Sequence, residues 1–132
     1  MEPKSWNQLQ QELAAEIIRM KEGDTVILLS GERFVQMRQG ADTLKAEAVS
    51  NRWLPTHLQL TPEDEREMVA LGWQPPEPDL GFHNWRSSTE WPLRTQDAEQ
   101  LSERLIATLR DVLDVSDPNL LDRRTFNANE EV

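Results

Sequence analysis

Apolar positions recur every three or four residues in two long stretches, one near each end of the chain. In the first stretch they are Trp6, Leu9, Leu13, Ile17 and Met20. In the second they are Ala98, Leu101, Leu105, Leu109, Val112 and Leu113. Because this spacing places side chains on one face of a helix, the pattern predicts two amphipathic helices. Ser5 begins the first helix and Gly23 is expected to end it, while Thr95 begins the second and Asp117-Pro118 closes it.

The segment between these helices changes to the two-residue period of strands. Residues 25–30, TVILLS, predict a strand covered on both faces. Residues 33–39 alternate and place Val35 and Met37 on one face, with Phe34, Gln36 and Arg38 on the other. Residues 43–51 place Leu44, Ala46 and Ala48 on one face, with Lys45, Glu47, Val49 and Asn51 on the other. Short turns at 30–32 and 40–42 join the three strands into an antiparallel meander.

Further elements follow the meander. Thr61-Pro62 with acidic residues behind it predicts a capped helix that ends at Leu71-Gly72. A proline-rich connector and a fourth strand at 82–88 come next, with a short fifth strand as an option at 90–93. The sequence therefore predicts an α+β fold in the order α-β-β-β-α-β-(β)-α, a twisted antiparallel sheet flanked by the terminal helices. We expect one domain over residues 1–121 and a flexible tail over 122–132.

Composition removes several classes of function. The formal charge of −10 argues against nucleic acid as a partner, because phosphate binding relies on clustered Lys and Arg. The chain has no cysteine, which excludes disulfides and thiolate chemistry and fits a cytoplasmic location. No apolar run approaches the roughly 18 residues that a membrane helix requires, so we expect no membrane contact.

Residues with catalytic or metal-binding chemistry are scattered. His57 and His83 are the only histidines, and neither has the spacing of a metal site. The acidic run at 63–67 lies in the first turn of a predicted helix, where the helix dipole favours carboxylates. We therefore predict no enzyme activity, no metal and no cofactor.

Tryptophan is the unusual component, with five in the chain and no tyrosine. Trp53, Trp73, Trp85 and Trp91 lie at or near the ends of predicted elements. They either anchor the core or line an apolar groove or interface, where tryptophan is enriched. Likewise, the polar second face of the meander is either solvated or used for binding.

A series of short matches, in order, resembles a known family. The matching segments are FVQ at 34–36, LKAEAVSN at 44–51, WL at 53–54, LGW at 71–73, PP at 75–76, NW at 84–85, TLR at 108–110 and PNLL at 118–121. They look like the actinobacterial TY-Chap family, which is related to type III secretion chaperones and YbjN-like proteins. The resemblance covers roughly residues 5–121 and implies a secretion-chaperone-like fold. It supports a function only by analogy of fold.

The resemblance implies a non-enzymatic, chaperone-like protein that binds a peptide or a segment of a partner protein, and it also implies a homodimer. Strand alternation then selects the surface, the second face of the meander. The candidate binding residues are Phe34, Gln36, Arg38, Lys45, Glu47 and Asn51, with Trp53 and Trp85 nearby. An extended segment would either lie across this face or pair with a strand edge. The alternative is a structural or regulatory module that only dimerises or docks one folded partner.

Overall fold

Five antiparallel strands form one sheet in the order β4-β3-β2-β1-β5. The structure is a computed structural model, which describes residues 4–90 and 92–128. The strands are β1 (Asp24–Ser30), β2 (Arg33–Gln39), β3 (Thr43–Ala48), β4 (Trp85–Glu90) and β5 (Asp122–Asn127). The helices are α1 (Trp6–Arg19), α2 (Pro62–Ala70) and α3 (Thr95–Ala107). The predicted α+β class is confirmed, in the order α-β-β-β-α-β-α-β.

Both helix starts that were predicted from capping residues form as capping boxes. The Ser5 hydroxyl accepts a hydrogen bond from the Gln8 backbone N–H, and the Gln8 side chain accepts one from the Ser5 N–H. Thr61 and Asp64 make the same reciprocal pair at the start of α2. Each box satisfies two backbone donors that a helix start otherwise leaves unpaired.

The core lies between one face of the sheet and the helices. α1 and α3 contact each other along their length and supply the largest apolar stripe. The fully buried residues include Leu13, Ile17, Val35, Met37, Leu44, Met68, Leu105, Ile106 and Leu109. Trp73 joins them, and its indole N–H donates to the Thr108 hydroxyl at 2.9 Å. Trp73 is therefore a core anchor whose polar atom is satisfied.

Two boundaries in the first half of the chain differ from the prediction. α1 ends at Arg19, four residues before Gly23, and Gly23 (φ 89°) instead occupies the turn into β1. β3 ends at Ala48 rather than at residue 51, and Val49 is fully buried in the core instead of facing outward. The Val49 backbone N–H still donates to the Phe34 carbonyl of β2 at 3.1 Å, the last such bond of this segment.

The predicted C-terminal tail contains a strand. Residues 122–127 form β5, which pairs with β1 along its whole length. None of its side chains is buried, so the apolar pattern carried no sign of it. Backbone hydrogen bonds, an ion pair between Arg123 and Glu16, and a hydrogen bond from Asn127 to Asp24 hold the strand instead. The expectation that 122–127 is flexible tail is therefore wrong, while 129–132 lie outside the described residues.

The region before α3 is also more regular than predicted. The fourth strand runs from Trp85 to Glu90 rather than over residues 82–88, and the described residues 92–94 form no further strand before α3. Trp91 lies outside the described residues. The proline-rich connector is ordered by a two-way bridge between Glu77 and Phe82. Among the helices of the described chain, none is long and apolar enough to cross a membrane.

Candidate functional site

The face of the sheet turned away from α1 and α3, here called the outer face, carries the residues assigned to the meander's second face. Directly opposed residues of antiparallel strands point to the same side, so the side chains form rows across the sheet. The rows contain Leu29 with Phe34; Ile27 with Gln36, Glu47 and Arg86; and Thr25 with Arg38, Lys45 and Ser88. The predicted residues of β2 and β3 are thus brought together on one surface.

An apolar depression of about 470 Å³, here called the outer groove, lies over β1 and β2 on this face. It is lined by Ile27, Leu29, Gly31, Glu32, Phe34, Gln36, Trp53 and Asn84. Ile27, Leu29 and Phe34 are half-buried side chains of adjacent rows and give it an apolar floor. The depression is open to solvent and not enclosed. Its shape therefore suits side chains of an extended segment better than an enclosed small molecule.

Trp53 forms one wall of the outer groove and is 51% exposed, a large apolar surface to leave in water. The Arg52 guanidinium lies 5.1 Å from the centre of its ring, and His83 meets it edge-on with ring centres 6.4 Å apart. These two neighbours restrict the orientation of the indole. A partly fixed, exposed tryptophan is typical of residues that contribute strongly to binding.

Polar groups on the outer face are partly engaged with each other. The Gln36 amide donates to a Glu47 carboxylate oxygen at 2.7 Å across the β2–β3 pair. Arg86 lies 4.0 Å over the Phe82 ring and forms an ion pair with Glu77. These contacts leave the Gln36 carbonyl and the second Glu47 oxygen accessible as hydrogen-bond partners for another chain.

Two of the predicted binding residues lie elsewhere. Trp85 is 2% exposed and points into the core on the opposite side of the sheet, level with Ala48. Asn51 follows the end of β3, and its side chain bonds both backbone groups of Leu60, at 2.7 Å and 3.0 Å. Trp85 is therefore a core residue, and Asn51 fastens the loop that precedes α2.

Sequence reasoning missed Ile27, Leu29 and Asn84. Residues 25–30 were expected to be covered on both faces, yet Ile27 and Leu29 are only half-buried because no helix covers their side. The sequence does contain one indication that Leu29 lies beside Phe34, namely the short turn at Gly31 and Glu32. This turn opposes Ser30 to Arg33 and so aligns Leu29 with Phe34.

A second cavity, of about 550 Å³, lies between the end of α1 and the β1–β5 edge. Its walls include the ion pair between Glu16 and Arg123 and the hydrogen bond between Asn127 and Asp24. Glu16, Arg123 and Asp24, three of its four charged lining residues, already bond within the fold. The smaller outer groove, with its apolar floor, is the better candidate for binding.

Among the described residues, the carboxyl groups with a lowered pKa lie at separate places in the fold. Hydrogen bonds from the Lys21 backbone and the Asn127 side chain lower the pKa of Asp24, and bonds from Arg94 lower that of Asp97. Both carboxyl groups lie beside turns and helix ends, away from the outer groove. Burial lowers the pKa of Arg104, which donates to the Leu71 carbonyl. Within residues 4–90 and 92–128, no three His, Asp or Glu side chains group together to hold a metal ion.

The fold and the site together define a small α+β domain with helices on one face of its sheet and an open apolar groove on the other. The chain matches the family TY-Chap3, described as T3SS (YopN, CesT) and YbjN peptide-binding chaperone 3, over residues 2–127. It therefore belongs to this family of peptide-binding chaperones, which confirms the resemblance to TY-Chap proteins at the level of family. No curated protein and no solved structure gave a match.

Proposed function

We propose that this protein is a non-enzymatic, chaperone-like domain that holds an extended peptide or a segment of a partner protein on the outer face of its sheet. The observation that carries the proposal is the outer groove, an apolar depression on the one face that α1 and α3 leave uncovered. Membership of a peptide-binding chaperone family supports the same role. A client segment would bring the apolar contacts that the groove floor lacks.

An extended segment suits this surface because its side chains alternate, and every second one points the same way. Apolar side chains of the segment would contact Ile27, Leu29 and Phe34, while Trp53 closes over one side. Gln36 and Glu47, which share the row of Ile27, present a carbonyl and a carboxylate to the segment's backbone N–H groups. Apolar contacts would thus supply affinity and polar groups would set the position of the backbone.

Binding at the face is favoured over pairing at a strand edge. The outer groove lies over β1 and β2, which are interior strands of the sheet, so it is separated from the edge strands β4 and β5. The outer edge of β4 is also partly occupied, because Gln74 and Arg86 exchange two backbone hydrogen bonds. A strand added to either edge would leave Trp53 and Phe34 uncovered. The face mode therefore assigns a role to the exposed apolar residues, and the edge mode does not.

Trp53→Ala tests the proposal. Peptides of about ten residues, long enough to cross the sheet when extended, are labelled and titrated with protein while fluorescence anisotropy is measured. We expect wild type to bind peptides that contain aromatic or aliphatic residues, and Trp53→Ala to weaken binding about tenfold, as for a hot-spot residue. Leu80→Ala is the control, because Leu80 is 66% exposed but lies outside the groove.

Equal binding by wild type and Trp53→Ala would contradict the proposed site. Acrylamide quenching adds a second readout, since a bound segment should shield Trp53 from the quencher. Trp53→Phe then identifies how much of that protection belongs to this residue. A role as a dimerisation module predicts a different result: no peptide binds, wild type sediments as a dimer, and Trp53→Ala sediments as a monomer.

A further inference from the structure

We propose that Arg38 and Lys45 form a carboxylate-binding subsite beside the outer groove, so that the client segment carries an acidic residue at a set distance from an apolar one. This inference rests on the proposed function and specifies the chemistry of the client. Arg38 of β2 and Lys45 of β3 are directly opposed in the sheet register and share the outer face. Both are exposed.

Two like charges in directly opposed positions destabilise a strand pair. Nothing in the described part of the chain compensates this pair, because neither side chain makes an ion pair or hydrogen bond there. Five other cations of the described chain do form ion pairs, among them Arg86 with Glu77 and Arg123 with Glu16. The chain has a net charge of −10, so acidic residues are abundant. Two adjacent cations on interior strands that have no acidic partner are therefore unusual in it.

The nearby acidic residues do not neutralise the pair. Glu47 lies two residues from Lys45 on the same face, but its carboxylate accepts a hydrogen bond from Gln36 instead. Glu90 is opposed to Thr43, one row further along the sheet, and forms no ion pair with Lys45. A carboxylate supplied by a client would therefore be the first partner of these cations. A guanidinium can bind it with two parallel hydrogen bonds, and the ammonium adds a point charge.

The position of the pair predicts a spacing in the client. Arg38 is four residues from Phe34 along β2, roughly 13 Å at the rise of a strand. A segment extended along β2 would place an apolar side chain in the groove and the side chain four positions away over Arg38 and Lys45. An odd spacing would turn the acidic side chain away from the sheet, because successive side chains point to opposite sides. The client is thus an extended segment with apolar and acidic residues at positions i and i+4, in either direction.

Three labelled peptides of about ten residues test the proposal. The first has one Phe and one Glu four positions apart, the second replaces this Glu with Gln, and the third moves it to three positions from the Phe. We expect wild type to bind the first about tenfold more tightly than the others. This preference should fall as salt rises from about 0.05 M to 0.5 M, because salt screens exposed charges.

The matched proteins are Arg38→Gln/Lys45→Gln and Arg19→Gln/Arg66→Gln, which lose the same charge. Arg19 and Arg66 are exposed on helices away from the outer groove. The first variant should bind all three peptides as weakly as wild type binds the Gln peptide, whereas the second should keep the wild-type preference. Circular dichroism establishes that both variants are folded, and Lys45→Gln alone provides a milder change that should lose part of the preference.

Several results would overturn the subsite. If all three peptides bind wild type equally and binding still needs Trp53, the proposed function stands and the carboxylate subsite does not. If Arg38→Gln/Lys45→Gln weakens every peptide by the same factor, the two residues act only through structure. If no peptide binds, both proposals fail. A single-stranded oligonucleotide that binds as tightly as the first peptide would show a general anion site rather than a site for acidic segments.

Discussion

The two faces of the sheet are built from alternate residues of the same strands, yet one is buried and the other is partly exposed. In β1, Leu28 is 2% exposed beneath the helices, while its neighbours Ile27 and Leu29 are half-buried and line the outer groove. The residue types are the same, so intrinsic hydrophobicity does not distinguish the two faces. What distinguishes them is the cover, since α1 and α3 pack on one side only. An apolar side chain that the fold leaves uncovered is available for a partner.

The largest difference between the faces should appear in Leu28→Ala and Leu29→Ala. Leu28→Ala leaves a cavity under the helices and should lower the free energy of unfolding by about 2–4 kcal/mol. Leu29→Ala should lower it by only about 1 kcal/mol, because the side chain is already partly in water. Urea denaturation followed by circular dichroism measures both.

The two substitutions should affect peptide affinity in the reverse order. Leu29→Ala removes part of the groove floor and should weaken binding, whereas folded Leu28→Ala should bind like wild type. Equal losses of stability in the two variants would mean that the outer face is as well covered as the helix face. That result would contradict the proposed difference between the two faces.

Two glycines in the left-handed region should give the next largest difference. Gly72 (φ 104°) follows α2 on the helix side, where an added Cβ would lie 2.8 Å from the Arg104 guanidinium. This guanidinium donates to the Leu71 carbonyl and the Ser87 hydroxyl. Gly31 (φ 61°) lies in the β1–β2 turn at the outer groove, and an added Cβ there would have open space.

Gly72→Ala should therefore lower the free energy of unfolding by about 2 kcal/mol, from backbone strain plus displacement of Arg104. Gly31→Ala should cost about 1 kcal/mol, from strain alone. Thermal or urea denaturation measures the two, and a larger loss in Gly31→Ala would contradict the close approach of the Arg104 guanidinium to Gly72.

The smallest effect should be on the free energy of unfolding in acid, and it comes from the pairing of β1 with β5. The Lys21 backbone N–H and the Asn127 side chain donate to the Asp24 carboxylate and hold its pKa below the ordinary value of 3.8. The unfolded chain therefore takes up a proton at Asp24 at higher pH than the folded chain does. The stability contributed by this group is fully present above pH 3.8 and is lost as the pH falls below it.

Asp24→Asn should accordingly reduce the decline in the free energy of unfolding between about pH 5 and pH 2. The effect is small because Asp24 is largely in contact with solvent. Asn127→Ala removes one of the two donors and should reduce the same decline by a lesser amount. An unchanged acid slope in both variants would show that these hydrogen bonds do not form in solution.

Much of the fold was accessible from the sequence because its signals are local. Ser5 with Gln8 and Thr61 with Asp64 start two helices through contacts that span only three residues. Alternation and short turns defined the register of β1 to β3. Alternation also placed Phe34, Gln36, Arg38, Lys45 and Glu47 on one face, and they share one surface in the structure. That this surface binds a partner stays a prediction.

Other parts of the fold lacked a local signal. β5 buries no side chain, and its pairing with β1 depends on residues nearly a hundred positions apart in the chain. Trp85 and Trp53 are the same residue type near strand ends, but one lies in the core and the other is half-exposed. No sequence pattern around either residue indicates which side of the sheet the helices will cover.

The sequence by itself determined the helices, the meander, the acidic balance and the family, because periodicity, capping residues and short motifs act over a few residues. The tertiary structure alone decided which face of the sheet remains open, where the C-terminal strand pairs, and that Ile27, Leu29 and Trp53 meet around one groove. The physical reason is that exposure is a property of packing. A leucine is buried or available according to what the rest of the chain places over it.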